Sequence, residues 1–302
     1  MIKLPQSVDI NNLIDDLRIF SWEASEILLY YSKILRNVNS NSNILEKVDF
    51  SNPVTIADLK VNDLIIKRIN EKYQNIDWEI LSEENVKDRI DNSKNKSDWI
   101  WILDPLDGTK DFIQGTENYA MHLALCYKNR PYLGVVLIPE KDELWIADGR
   151  EVWCESMDGS KKSMNISKKK TLKEMTVVTS KNHRNKNLKN LIEKVNFQNV
   201  LVMGSIGCKF ASILRGESDI YISLSLPGKS SPKDWDFASP EAILKASGGV
   251  VTNLKNKKLF YGDPNYEKRG IIVASNNCKV HQEICSELEE IVKRYNIYPL
   301  QT

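Results

Sequence analysis

The feature that most constrains this chain is an apolar run at residues 99–103 (Trp-Ile-Trp-Ile-Leu) that ends abruptly in Asp104-Pro105-Leu106-Asp107-Gly108-Thr109. Five bulky apolar residues in a row suit a strand buried on both faces. Proline and glycine then break the strand and fix a turn. The strand thus delivers two aspartates, three residues apart, to one end of a sheet. Two such carboxylates repel each other unless a cation lies between them. Mg²⁺ is the natural candidate, being hard, oxygen-seeking and accustomed to sharing its shell with phosphate and water. Backbone N–H groups of Gly108, Thr109 and Lys110, at what reads as a helix start, suit a phosphate. The competing reading of this stretch is an ordinary Asp/Pro/Gly turn.

Further acidic residues weigh against the plain turn. Glu83 and Glu84 follow a second apolar run at 78–81, Asp58 lies in Thr55-Ile56-Ala57-Asp58, and Asp236 stands at a predicted helix start, Lys233-Asp234-Trp235-Asp236. Each alone is as easily a helix cap or a solvated charge. Rival chemistries fit less well. The chain has no Gly-x-x-x-x-Gly-Lys-Ser/Thr loop and no Gly-x-Ser-x-Gly elbow to accompany its three histidines. The Asp-x-x-Asp spacing is not the Asp-x-Asp of an aspartyl-phosphate enzyme.

The rest of the chain supplies ordinary globular material. Spacing predicts a helix over 10–35, capped by Ser7 or Asp9, and a second one from about Thr55 with Leu59, Leu64, Ile65 and Ile69 on one face. Residues 121–127, 132–138, 143–148 and 151–154 predict an antiparallel meander. Beyond a lysine-rich linker ending at Lys170, strands at 176–179, 200–203, 220–224 and 271–274 alternate with helices at 185–195, 209–214, 234–246 and 280–295, the third stopped by Gly248-Gly249. We expect an α/β (α+β) chain in two halves, 1–160 with the acidic motif and 161–302 with substrate-binding segments and the last acidic ligand. The polar stretch 91–98 reads as an exposed loop.

Lys+Arg total 42 and Asp+Glu 41, a formal net charge of +1. That balance argues against a nucleic-acid polymer as partner. The five cysteines, Cys126, Cys154, Cys208, Cys278 and Cys285, are odd in number and form no Cys-x-x-Cys pair. They read as reduced thiols, and with no apolar leader or membrane-length run the expected location is cytoplasmic. Monomer and homodimer are both open.

Taken in order, Thr55-Ile56-Ala57-Asp58, Glu83-Glu84, Asp104-Pro105-Leu106-Asp107-Gly108-Thr109, Trp235-Asp236 and Gly248-Gly249 resemble the inositol monophosphatase superfamily. The resemblance implies a layered αβαβα sandwich and Mg²⁺-dependent, lithium-sensitive hydrolysis of phosphate monoesters. It implies that Glu83, Asp104 and the Leu106 carbonyl hold one Mg²⁺, that Asp104, Asp107 and Asp236 hold a second, and that two or three ions act in all. Asp58 and Thr109, helped by Glu83, would orient the attacking water. Clustered metals would lower the water pKa and neutralise the phosphoryl oxygens. Ser82 departs from the pattern, since many members have glycine before the paired glutamates.

Within the superfamily, Leu226-Pro227-Gly228-Lys229-Ser230-Ser231-Pro232-Lys233-Asp234-Trp235-Asp236 resembles the 3'(2'),5'-bisphosphate nucleotidases. So do Gly204-Ser205-Ile206-Gly207-Cys208-Lys209 and Ser180-Lys181-Asn182-His183. This likeness implies removal of the 3'-phosphate from adenosine 3',5'-bisphosphate, a by-product of sulfur metabolism. The implied substrate contacts are Leu106, Asp107, Gly108, Thr109, His183, Ser205, Gly207, Lys209 and Asp236. A retained 5'-phosphate needs donors away from the metals, and Lys209 with His183 could supply them. Inositol monophosphate and fructose 1,6-bisphosphate remain alternative substrates. A phosphometabolite-binding protein without catalysis and a structural acidic protein are the rivals of other classes.

Overall fold

A computed structural model describes residues 3–40, 51–86, 97–167, 171–181, 185–263 and 265–299. The lysine stretch 168–170, His183 and most of the 91–98 loop lie outside the described residues. Helix α1 (Ile10–Ser40) begins where Asp9 Oδ1 accepts the N–H groups of Asn11 and Asn12, which makes Asp9 the cap. Helix α2 (Ser51–Lys72) packs beside it. Its buried face carries Ala57, Val61, Ile65 and Ile69, while Leu59, expected on that face, is exposed.

A seven-stranded sheet follows in sequential order: β1 (Glu79–Ser82), β2 (Trp99–Asp107), β3 (Ala120–Tyr127), β4 (Arg130–Ile138), β5 (Glu143–Ala147), β6 (Val152–Glu155) and β7 (Lys161–Lys162). β1 pairs with β2 in parallel and every later pair is antiparallel, so the predicted meander is present. Short helices α3 (Glu83–Val86) and α4 (Thr109–Ile113) grow from the ends of β1 and β2.

The second half forms a five-stranded sheet in the order β11-β12-β10-β8-β9. Its elements are β8 (Thr176–Ser180), α5 (Lys186–Val195), β9 (Asn199–Met203), α6 (Ile206–Leu214), β10 (Ile220–Ser225), α7 (Asp234–Ala246), β11 (Val250–Asn253), β12 (Gly270–Ser275) and α8 (His281–Arg294). Among these described elements of the second half, β11 has no counterpart in the expected order. Helix α6 starts three residues before the expected 209, so part of the supposed glycine loop is its first turn. The amides of Gly248 and Gly249 close the end of α7 on the carbonyls of Lys245 and Leu244, with Gly248 at φ +90°.

The layers follow from strand alternation. In β2, Trp99, Trp101 and Leu103 join the core under α1 and α2, while Ile100 and Ile102 join the core shared with α6 and α7. In β10, Tyr221 faces that shared core, and Ile220 and Ile222 face a third one under α5 and α8. Helices, sheet, helices, sheet, helices: this is the αβαβα sandwich that the sequence resemblance implied. The central helix pair matters most for function, because α7 is seated against the first sheet and carries Asp236. Ser239 on α7 donates to the Val135 carbonyl of β4 at 2.6 Å and pins the helix there.

Candidate metal and phosphate site

Residues three apart on a regular strand point to opposite faces. Asp104 and Asp107 do not, because the β2–β3 register slips between them: Asp104 lies opposite His122 and Asp107 opposite Ala120. This bulge at Pro105-Leu106 inserts one residue into β2 and swings Asp107 to the side of Asp104. Helix α7 brings Asp236 to the same place. Carboxylate oxygens of Asp104, Asp107 and Asp236 all lie within 4.8 Å of one another.

The field at this point is unfavourable to the charged carboxylates. Burial raises the pKa of Asp104 well above the carboxylate range, reinforced by Glu83, Asp107, Asp236 and Asp58 in that order. Burial and Asp107 push Asp236 up to about 8. Glu83 and Asp58 both lie near enough to Asp104 for their charges to act on it, and Glu83 acts on Asp236 as well. An all-oxygen set of like charges in a half-buried corner fits a hard divalent cation. Glu83, Asp104, Asp107, Asp236 and the Leu106 carbonyl are the groups that would hold it.

Each carboxylate is also braced by backbone. Asp104 Oδ1 accepts the Leu106 N–H at 3.1 Å, and Asp236 Oδ2 accepts the Lys233 N–H at the start of its own helix. Asp107 Oδ2 accepts the Ser205 hydroxyl at 2.7 Å and the N–H groups of Ile206 and Gly207. Ser205 and Gly207, which the resemblance places at the substrate, hold the Asp107 carboxylate through the first turn of α6. Gly207 has little choice of side chain, because a Cβ would lie 2.2 Å from His122 Nε2. Gly108, at φ +91°, sits where a Cβ would be 2.7 Å from the Asn118 carbonyl oxygen. It opens α4 and leaves Thr109 exposed, with the Thr109 hydroxyl donating to the Leu106 carbonyl at 3.3 Å.

Lys209 is the expected cationic donor to a retained 5'-phosphate away from the metals. It is 1% exposed, its ammonium donates to the Gly204 carbonyl at 2.7 Å and lies over the Tyr221 ring. Burial lowers its pKa, while Asp107, Cys208, Asp236 and Asp111 pull it back. Its charge is therefore directed at the acidic cluster rather than at solvent. The reason is that all of α6, from Ile206 to Leu214, is buried in the core shared with α7, so position 209 has no solvent face to turn to.

One residue of this corner escaped the sequence reading. His122 is fully buried, with Nδ1 3.3 Å from the Trp235 carbonyl and Nε2 3.4 Å from Asp107 Oδ2. Trp235 O can only accept, so Nδ1 carries the proton. Burial lowers the His122 pKa against the pull of Asp107. The only available signal was its place on β3 opposite Asp104, which needs the register.

The model of the inositol monophosphatase family matches residues 17–293. The chain belongs to the inositol monophosphatase family. It is 32% identical over 230 residues to the 3'(2'),5'-bisphosphate nucleotidase CysQ of Buchnera aphidicola, a match covering 76% of this chain and 82% of that one. It is 26% identical over 250 residues to an inositol monophosphatase of Dictyostelium discoideum, covering 77% and 86%. Among solved structures, inositol monophosphatase II of Staphylococcus aureus superposes with a TM-score of 0.72 at 23% identity, covering 96% of this chain and 99% of that one, which establishes the shared fold. As a member of this phosphatase family the chain is a phosphoric monoester hydrolase. No helix among the described residues is long and apolar enough to cross a membrane.

Proposed function

We propose that this family member removes the 3'-phosphate of adenosine 3',5'-bisphosphate, giving AMP and phosphate, with Mg²⁺ as the metal. The observation that carries the metal chemistry is the convergence of buried Asp104 with half-buried Asp107 and Asp236, where burial first, and then repulsion from neighbouring carboxylates, raises the pKa values of Asp104 and Asp236. The choice of substrate is supported by the similarity to CysQ, at an identity above that of the inositol monophosphatase relative. Bound Mg²⁺ would supply an acidified water and neutralise phosphoryl charge. The chain's own residues do the rest. The proton of Thr109 Oγ1 is engaged by the Leu106 carbonyl, so the hydroxyl oxygen offers its lone pairs to a water. Asp58 accepts the other proton of that water, with Glu83 beside it. Gly108 keeps the α4 amides open toward an incoming phosphoryl group.

A second reading, a smaller phosphate such as inositol monophosphate, draws on Lys209. Its ammonium is turned inward, so α6 presents no outward cation from position 209 to a retained 5'-phosphate. His183 is then the remaining candidate donor. A cytoplasmic setting belongs to the main reading and draws on five cysteines that are all free.

Phosphate release from adenosine 3',5'-bisphosphate, inositol 1-phosphate and fructose 1,6-bisphosphate, assayed side by side with Mg²⁺, with chelator and with Li⁺, tests this reading. We expect the nucleotide to lead by about a hundredfold in kcat/KM, roughly 2.7 kcal/mol, and Li⁺ and chelator to inhibit. An inositol or sugar phosphate in the lead would overturn the substrate and leave the metal site standing.

A further inference from the structure

Ser82, the residue that departs from the family pattern, is fully buried and donates its hydroxyl to Asn62 Oδ1 at 2.6 Å. Asn62 is itself 5% exposed. The Ser82 oxygen also accepts the Glu84 N–H at 3.4 Å, so both sides of the hydroxyl are used. The two ends of this bond have telling addresses. Asn62 is four residues beyond Asp58 on α2, one turn along the same helix face. Ser82 immediately precedes Glu83 and pairs in register with Leu103, the residue before Asp104. A glycine at 82 could form neither side-chain bond.

We propose that Ser82 and Asn62 are a positioning pair that fixes the acidic turn bearing Glu83 against the helix bearing Asp58. The inference rests on the proposed roles of Asp58 and Glu83 at a divalent-cation site. Neither Ser82 nor Asn62 touches the reacting atoms. They set the distance between two groups that arrive on different elements, and the buried site rewards a fixed distance because carboxylate attraction for a cation falls off steeply with misplacement. Asn62 also donates through Nδ2 to Asp63 Oδ1 at 3.2 Å, which orients its amide so that Oδ1 faces Ser82.

The test is a Mg²⁺ titration of the metal-free chain by thermal shift, run beside phosphate release as a function of Mg²⁺. For Ser82→Ala and Asn62→Ala we expect the half-saturating Mg²⁺ concentration to rise about tenfold in both assays, with KM for substrate at saturating Mg²⁺ within about twofold. Ser82→Thr, which keeps the hydroxyl, restores Mg²⁺ affinity to within about twofold, and the double alanine variant is no weaker than the worse single one. If one alanine variant does not fold, Ser82→Gly reads the same lost bond. A lower melting temperature with unchanged Mg²⁺ affinity in the variants would show a merely structural bond and overturn the proposal, as would additive losses in the double variant. Asp104→Asn in the same titration separates the two levels: a retained Mg²⁺ response there defeats the metal-site reading itself, whereas its loss alongside a normal Ser82→Ala defeats only the pair.

Discussion

Asp234 and Asp236 occupy the same first turn of α7, two residues apart, and meet opposite fates. Asp234 is fully buried against Lys268, accepts the Gly262 N–H, and lies beside a second buried network in which Glu241 takes Arg130 and the Tyr261 hydroxyl. Asp236 faces Asp107 and Asp104 and finds like charge. Burial raises the pKa of both, but at Asp234 Lys268 works against the shift, whereas at Asp236 Asp107 adds to it. The fold therefore gives one carboxylate a paired cation of its own, whereas at the other Lys209 offsets only part of the repulsion and the rest is left to a cation from outside. A buried acid with a protein partner is scaffold, and one surrounded by acids is a site.

The largest effect should come from the site side. Asp104→Asn should lower phosphate release at least a thousandfold, about 4 kcal/mol of transition-state stabilisation, with the far-ultraviolet circular dichroism unchanged. Activity within tenfold of the parent would remove Asp104 from the chemistry. On the scaffold side, Lys268→Met strands Asp234 and should cost about 3 kcal/mol of unfolding free energy in a urea titration. A cost under 1 kcal/mol would erase the contrast between the two aspartates.

A smaller effect sharpens the comparison through pH. A carboxyl whose pKa is higher in the folded state binds protons on folding, so its destabilising contribution is relieved as pH falls. Between pH 8 and 7 the metal-free chain should gain stability from Asp236, and this gain should vanish in Asp236→Asn. That window lies above His281, whose pKa burial lowers to about 4. With saturating Mg²⁺ the sign should reverse, since acid then competes with the ion. Differential scanning calorimetry at the two pH values reads both slopes.

The smallest effect concerns the joint between α1 and the first sheet. Burial raises the Glu140 carboxyl, but hydrogen bonds from Arg36, Ser32 and Tyr119 carry it below the usual range. Its stabilisation is present above about pH 4 and lost below it. Glu140→Gln should cost about 1 kcal/mol at pH 7 and little at pH 3, which paired denaturant titrations would show.

Much of this was legible in the sequence for one reason: strong period and strong punctuation. The run at 99–103, the helix of α7 with its Gly248-Gly249 stop, and the meander all carry local signals. Features that depend on partners distant in sequence were not legible. The bulge that turns Asp107 beside Asp104 exists only in the register with β3. Ser205 bonds Asp107 across 98 residues, and its role as a helix cap hid behind a glycine-loop pattern. Lys209 reads as a donor on a loop and is buried because the whole of α6 is packed in the core between the two sheets. β11 is four residues long after two glycines, too short to show alternation. Ser82 looked like a harmless variation until Asn62, twenty residues away, was placed against it.

The most direct test of the central claim is the melting temperature of Asp236→Asn and of the parent chain, each with chelator and with saturating Mg²⁺ at pH 8. If the acidic cluster is a cation site held under its own repulsion, the variant melts higher than the parent in chelator, by an amount worth about 1–2 kcal/mol, and gains far less from Mg²⁺. A variant that melts lower than the parent in chelator, with its Mg²⁺ shift intact, would contradict the account.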